Sequence, residues 1–421
     1  MVSKKTLQNG LRVLAVPREN TESVTVLVLV GAGVKHEEKR ISGVSHFLEH
    51  MLFKGTKNLP TPLAVADVID RVGGSCNAFT SEEHTGYYAK VDSRHTDLAL
   101  EWVADIFLRS TFPSPEMKRE RGVVIEEMHM QHDDPKDWIH TLWHSLLYGD
   151  QPAGWNILGT EDSVRGLSRK DILLYQQSMY VPSGTVVCVA GKVSAPEVFS
   201  KVGKLFKSMG SAPLVSRSKT KEQQYTPALF LEHRETAQTH LALGVRGFAL
   251  HDPRRYDLLL AATLLGGMMS SRLFTEIREK LGLAYSVGTG NEMDTDSGFF
   301  VTMAGVKNEG AEKAIRVILR EYKRMTTELV SASDLRKIKE YEIGKTTLQL
   351  ESSGSLAQFV ATQELLEKRI LTPEEVYDMI QRVTARSIQR VAREIFRNER
   401  LNLAIIGPFQ DKKPFQRILH V

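Results

Sequence analysis

Apolar residues recur along the first third of the chain with the spacings that distinguish strands from helices. Residues 11–16 and 24–30 form dense apolar runs, which predict strands. Residues 42–54 and 62–72 carry apolar side chains at helical spacing, which predicts two amphipathic helices. Further predicted strands are 75–80, 86–91 and 185–190, and further predicted helices are 95–109, 115–132 and 136–149. These elements predict a sheet with helices packed on it.

The same order of patterns returns in the second half of the chain. The predicted elements there are strands 239–245, 284–289 and 298–304 and helices 255–266, 270–280 and one from 309. Gly86-Tyr87-Tyr88 corresponds to Gly298-Phe299-Phe300, a displacement of roughly half the chain. A repeat of this length indicates two copies of one domain. The alternative is that two unrelated segments of strands and helices look similar at this level.

The apolar periodicity is lost between about Ser208 and Thr226, where Ser, Pro, Lys and Gln predominate. This composition is typical of a solvated connection. We therefore predict one domain over residues 1–212, a linker over 213–225 and a second domain over 226–421. Two domains also suit the length, because 421 residues exceed what one hydrophobic core usually organises.

One of the predicted helices contains the motif His-x-x-Glu-His. Residues four apart lie one turn apart on a helix, so His46 and His50 can present their imidazoles to one metal ion. Glu49 projects to nearly the same side, where a carboxylate can contact a metal-bound water without being a ligand. The motif predicts a zinc site with Glu49 as the catalytic base. The alternative is two hydrogen-bonded histidines on an ordinary amphipathic helix.

Catalytic zinc usually has three protein ligands, so a third must come from elsewhere in the chain. The helical stretch 120–128 carries adjacent acids. Glu127 shares a helical face with Glu120, whereas Glu126 is rotated away by about 100°. We predict that Glu127 is the third ligand and that Glu120 holds a ligand histidine in place. The alternative for these acids is a solvated acidic face.

The residues around the motif extend the comparison to a known family. His-x-x-Glu-His is the inverzincin order, and residues 43–56 (GVSHFLEHMLFKGT) and 7–13 (LQNGLRV) resemble the pitrilysin/insulinase zinc metallopeptidases. The resemblance is to the short two-domain members that include mitochondrial processing peptidase and its bacterial relatives. In that family a glutamate 77 positions after the second histidine completes the site, which here is Glu127. A further family acid, seven residues earlier, corresponds to Glu120.

The resemblance also implies residues that bind substrate. Substrate would pair as an added strand with an edge strand that contains Asn77, Ala78 and Phe79. Arg278 and Tyr285 would bind the substrate backbone and stabilise the oxyanion. The alternatives are an ordinary paired strand, a surface arginine and a half-buried tyrosine. The second half lacks His-x-x-Glu-His, so we expect one Zn²⁺ per chain.

The fold that the resemblance implies is α+β, with two homologous domains that face each other across a cavity. Each domain would hold a mainly antiparallel sheet packed with helices, and two chains would close around a chamber as a homodimer. The expected activity is that of a zinc metalloendopeptidase that hydrolyses extended, unfolded peptides. The alternatives are a non-catalytic structural or chaperone-like subunit of the same fold and a hydrolase of another bond.

Composition indicates which classes of partner and which cellular compartment to expect. The net charge is only +4, and no Lys/Arg block is interleaved with aromatics, so we expect no nucleic acid partner. No apolar run reaches the roughly 18 residues of a membrane span, so we expect no membrane association. The two cysteines, Cys76 and Cys188, lie far apart in the sequence, which favours a reducing, cytoplasmic location.

Overall fold

The chain forms two compact units. The computed structural model describes residues 2–210, 215 and 217–421. The N-terminal unit comprises Met1–His129, Asn156–Ser218 and Leu348–Ile370. The C-terminal unit comprises Met130–Trp155, Lys219–Thr347 and Leu371–Val421. Among the described residues, each unit contains one sheet, and no helix is long and apolar enough to cross a membrane.

The sheet of the N-terminal unit has six strands in the order β1-β2-β6-β3-β5-β4. The strands are β1 (Ser3–Thr6), β2 (Arg12–Pro17), β3 (Ser23–Val30), β4 (Ser75–Thr80), β5 (Thr85–Asp92) and β6 (Thr185–Gly191). Only β2 and β6 are parallel. Strands β3 and β6 are buried almost throughout because apolar clusters cover both faces of the sheet. Strand β4 pairs with β5 alone and forms an edge.

Helices cover the two faces of this sheet unequally. The helices are α1 (Val44–Met51), α2 (Pro62–Asp70), α3 (Thr96–Arg109), α4 (Ser114–Asp133), α6 (Glu161–Gly166), α7 (Arg169–Met179), α8 (Ala195–Leu205) and α12 (Ser353–Thr362). Most of them supply side chains to the large cluster on one face. Helix α12 packs on the other face, where Leu356 and Val360 join a smaller cluster with residues of β2, β3 and β6. Helix α4 begins in this unit and ends beyond it.

The sheet of the C-terminal unit has five strands in the order β7-β11-β8-β10-β9. The strands are β7 (Ala228–His233), β8 (Gln238–Arg246), β9 (Ala284–Met293), β10 (Gly298–Lys307) and β11 (Leu401–Gly407). The helices are α5 (Pro135–Tyr148), α9 (Arg255–Ala262), α10 (Ala311–Thr327), α11 (Ala332–Gln349), α13 (Pro373–Arg382), α14 (Ala385–Ile395) and α15 (Lys413–Ile418), with π-helical segments Thr263–Gly267 and Phe274–Lys280.

The two sheets share one topology. Counted from β2 and from β7, each places its five strands in the order first, fifth, second, fourth, third. In each, only the first and fifth strands are parallel. Gly86 and Gly298, which correspond in the sequence, both lie at the start of the fourth strand. The predicted α+β class with a repeated, mainly antiparallel sheet is confirmed.

The compact units differ from the predicted contiguous domains in two segments. Residues 130–155 belong to the C-terminal unit, although they precede the predicted linker, and residues 348–370 belong to the N-terminal unit. Helix α5 buries Leu142 and Trp143 against β8, β10 and β11, much as α12 covers the first sheet. Each sheet thus buries its second face under a helix from the other half of the chain. Of the predicted linker 213–225, residues 213, 214 and 216 lie outside the described residues, and the rest form neither helix nor strand.

Candidate metal centre

Helix α1 supports the metal motif because one side of it is anchored in the core. Val44, Phe47, Leu48 and Met51 are fully buried, while His46 and His50 lie on the remaining side. The helix begins after Gly43, whose backbone is left-handed with φ 88. A Cβ at this glycine would lie 2.4 Å from the Leu158 carbonyl oxygen, so a backbone crossing fixes the start of the helix.

Three potential ligand atoms converge between α1 and α4. His46 Nε2 lies 3.6 Å from Glu127 Oε1, and His50 Nε2 lies 3.6 Å from Glu127 Oε2. One ligand atom from each of the three residues lies within 4.8 Å of the others. Atoms that share a tetrahedral zinc ion at about 2.0–2.2 Å are separated by roughly 3.3–3.6 Å. Two imidazole nitrogens and a carboxylate at this spacing fit a zinc ion.

The neighbouring acid on α4 points elsewhere. The Glu126 side chain is 77% exposed, and its carboxylate lies 3.9 Å from His129 rather than near the histidines of α1. The rotation of about 100° between adjacent helical residues, on which the prediction from the sequence rests, therefore separates the two acids in the way the structure does. Glu127 faces the two histidines, and Glu126 is a natural control for it.

Glu120 fixes the orientation of His50. Its Oε2 lies 3.1 Å from His50 Nδ1, and Lys54 Nζ donates to its Oε1 at 2.8 Å. Burial acts to raise the pKa of Glu120, but the bonds from His50 and Lys54 outweigh burial and lower that pKa. An ionised carboxylate only accepts hydrogen bonds, so Nδ1 carries the proton. The lone pair of Nε2 is then free to face Glu127 and could bind a metal ion.

His46 is held in its neutral form. It is 7% exposed, and burial, followed by the charge of His50, lowers the pKa of His46 to about 3. Its Nδ1 is buried without a hydrogen-bond partner among the described residues. A ligand imidazole must be unprotonated on the nitrogen that binds the metal, so this environment suits a ligand.

Glu49 lies beside the ligand group and is not one of its three members. Thr80 Oγ1, at the end of β4, donates to Glu49 Oε2 at 2.5 Å. Burial raises the pKa of Glu49, while the Thr80 bond opposes that shift. A partly buried carboxylate of raised pKa next to a metal group, but outside it, can take up and release a proton.

The predicted substrate residues lie in two places. Asn77, Ala78 and Phe79 lie in β4, and Asn77 is exposed. Arg278 and Tyr285 lie in the C-terminal unit, where the Arg278 guanidinium is 5.2 Å from the centroid of the Tyr285 ring. Both line a cavity of about 620 Å³, and Tyr285 is 77% exposed. The structure thus brings Arg278 and Tyr285 together.

Sequence patterns missed three residues that hold this site. Thr80 binds Glu49, Lys54 binds Glu120, and Glu37 accepts hydrogen bonds from the start of α1. Thr80 and Glu37 have no periodic relation to the motif, and no sequence motif around either residue points to the metal site. Lys54 follows His50 by four residues, so helical spacing was the one signal available.

Comparisons with known proteins identify the family of this chain. Residues 12–161 match the profile described as Insulinase (Peptidase family M16), and residues 166–341 match the Peptidase M16 inactive domain. The uncharacterized zinc protease YmxG of Bacillus subtilis is 35% identical over 97% of this chain and 98% of its own length. This chain belongs to peptidase family M16. An uncharacterized zinc protease of Mycobacterium leprae is also 35% identical, over 100% of this chain and 95% of its own.

Two solved structures share the fold of this chain. A protease from Helicobacter pylori superposes with a TM-score of 0.90 at 28% identity, covering 97% of this chain and 99% of its own. A chain of Complex III2 from Candida albicans superposes with a TM-score of 0.85 at 15% identity and full coverage of both chains, which shows the fold alone. The motif His46, Glu49 and His50 lies within the matched insulinase region, and Arg278 and Tyr285 lie within the matched inactive domain.

Proposed function

We propose that this M16 protein is a zinc metalloendopeptidase whose ion is held by His46, His50 and Glu127. The observation that carries the proposal is the convergence of these three side chains beside Glu49, a carboxylate outside the ligand group. When bound, zinc polarises a peptide carbonyl and lowers the pKa of water. The names of the relatives, which are zinc proteases, support the same chemistry.

Glu49 moves the proton in this proposal. Its carboxylate takes a proton from the attacking water and then passes it to the leaving amine, as a general base and then a general acid. Thr80 orients that carboxylate through its hydroxyl. Glu120 fixes the tautomer of His50, so that Nε2 is available to the ion.

The proposed substrates are extended, unfolded peptides hydrolysed inside a closed chamber. The edge strand β4, with Asn77, Ala78 and Phe79, offers backbone groups to an added strand, which selects for extension rather than sequence. Arg278 and Tyr285 supply hydrogen-bond donors for the substrate backbone. In this proposal the first domain is catalytic and the homologous second domain supplies Arg278 and Tyr285. The protein would act as a cytoplasmic homodimer with one Zn²⁺ per chain.

The deciding experiment measures zinc content and peptide cleavage in three purified variants. Glu49→Gln should retain zinc and lose hydrolysis of unstructured peptides, because the base is gone while the ligands remain. Glu127→Gln should lose both. Glu126→Gln, the adjacent acid that faces away, should retain both. Hydrolysis that persists in Glu49→Gln, or zinc that persists unchanged in Glu127→Gln, would overturn the assignment.

The competing function is that of a non-catalytic structural or chaperone-like subunit. The likeness to a Complex III2 chain is at the level of the fold, and it does not address the metal centre. The complete set of His46, His50, Glu127 and Glu49 favours the peptidase. Zinc-loaded protein that cleaves no unstructured peptide would favour the subunit.

A further inference from the structure

The helix that carries the metal motif lacks an ordinary cap at its start. A helix leaves its first N–H groups without partners inside the helix, and a Ser, Thr, Asp or Asn side chain usually accepts from them. In α1 the capping position is Gly43, which has no side chain to accept these bonds. The helix is only eight residues long, so an uncapped first turn would affect a large part of it.

The carboxylate of Glu37, six residues before Gly43, replaces the missing cap. Glu37 Oε2 accepts from the Gly43 N–H at 2.6 Å, and Glu37 Oε1 accepts from the Ser45 N–H at 2.8 Å. Glu37 directly follows the 3-10 turn Val34–His36 and is 5% exposed. Both oxygens of one buried carboxylate are thus directed at the positive end of the helix that presents the predicted ligands.

The same turn is fixed by two further contacts. Ser45 Oγ forms a hydrogen bond of 2.7 Å with the hydroxyl of Tyr175. Gly43 crosses the backbone at Leu158 with no room for a side chain. These contacts limit sliding of the helix, whereas the two bonds from Glu37 fix the directions of its first N–H groups.

A displacement of the first turn of α1 would directly move the predicted ligands. Ser45 directly precedes His46 in the chain, and His50 lies one turn further on. Metal ligands must be held to within about 0.5 Å and 10–20° for a productive site. Since His46 Nδ1 has no hydrogen-bond partner among the described residues, the backbone under His46 determines much of its ring position.

We propose that Glu37 is a positioning residue for the metal centre, acting through the Gly43 and Ser45 N–H groups to set the placement of His46 and His50. The inference rests on the proposed zinc site. It adds a residue that touches neither ion nor substrate.

We expect the fold to tolerate loss of the charge on Glu37. Burial raises the pKa of Glu37 to about 7, although the bonds from Ser45 and Gly43 oppose that shift. No cationic side chain pairs with Glu37 in the part of the chain that the structure describes. A buried carboxylate without a cation contributes little net stability, so removing its charge should perturb the metal helix more than the global fold.

The test is zinc affinity of the full-length Glu37→Gln protein, measured by competition with a chromophoric chelator. The amide retains one acceptor and turns an N–H donor toward the helix, so we expect zinc affinity to fall about tenfold. Bound Co²⁺, used as a spectroscopic probe, should show an altered visible spectrum because its ligand geometry changes. Glu342→Gln is the matched control, because Glu342 is also 5% exposed and its Oε1 accepts from Thr263 Oγ1 at 2.5 Å in the other unit.

The outcomes separate this inference from the proposed function. Wild-type zinc affinity and an unchanged Co²⁺ spectrum in Glu37→Gln would overturn the positioning role. An equal loss of affinity in Glu342→Gln would also overturn it, because any buried carboxylate would then have the same effect. If wild-type protein binds no zinc, the proposed function fails instead. If Glu37→Gln does not fold, the same measurements on Glu37→Asp decide, since the shorter acid keeps the charge but cannot reach both N–H groups.

Discussion

Thr80→Val removes the hydroxyl that donates to the proposed base while nearly preserving side-chain shape. Thr80 Oγ1 lies 2.5 Å from Glu49 Oε2, at the junction of β4 and the metal helix. The donated hydrogen bond stabilises the ionised carboxylate and so lowers the pKa of Glu49 against the effect of burial. Without this bond, more alkaline conditions are needed to produce the ionised base.

The size of the effect follows from the strength of a hydrogen bond to a charged group. Such bonds contribute about 1.5–3 kcal/mol, and one pKa unit corresponds to about 1.4 kcal/mol. Water reaches part of the Glu49 side chain and replaces some of the lost bond, so we expect the lower end of this range to apply and the pKa of Glu49 to rise. The acid limb of the kcat/KM profile should therefore move about one pH unit upward.

The assay is hydrolysis of an unstructured peptide from about pH 5 to 9. This range covers the pH at which activity increases as a general base becomes ionised. Zinc content is measured in the same preparations, and it should be unchanged because Thr80 contacts no ligand. Thr80→Ser keeps the hydroxyl and should keep the wild-type acid limb. An acid limb at the wild-type position in Thr80→Val, with zinc retained, would refute the link between Thr80 and Glu49.

Three further predictions test the surroundings of the site. Gly43→Ala should lower the free energy of unfolding, measured by urea denaturation, by more than about 2 kcal/mol. The added Cβ would meet the Leu158 backbone, and the residue would have to keep a left-handed conformation. A smaller change would contradict the close backbone contact between Gly43 and Leu158. Burial, and then the charge of Arg217, lowers the pKa of His36 from 6.5 to about 4. The unfolded chain therefore binds a proton first as the pH falls below 6.5, and folded-state stability declines down to about pH 4. His36→Asn should reduce the stability lost between pH 7 and pH 5 by about 2 kcal/mol, and an identical loss in both proteins would exclude this role. Glu120→Gln should weaken zinc binding about tenfold in chelator competition, and unchanged affinity would show that the carboxylate does not orient its histidine.

Local periodicity predicted much of the secondary structure. The predicted strand 75–80 is β4 at the same bounds, and the predicted helix 136–149 is α5 shifted by one residue. Strands β1 and β7 escaped assignment because both lie at sheet edges, where burial is partial and the apolar pattern is weak. Strand β11 is buried throughout, and an apolar run of that length fits a strand or a helix equally well.

The sequence alone determined the chemistry that one helix can present. Spacing placed His46, Glu49 and His50 on one side of α1, and the rotation of about 100° per residue separated Glu127 from Glu126, because both depend only on helical geometry. Tertiary structure alone decided that Thr80 meets Glu49, that Glu37 caps α1, and that each sheet is covered by a helix from the other half of the chain. Thr80 and Glu49 are 31 residues apart, and Glu37 reaches the start of α1 from outside that helix. Helical and strand spacing encode neither contact, and packing of the whole unit brings these groups together.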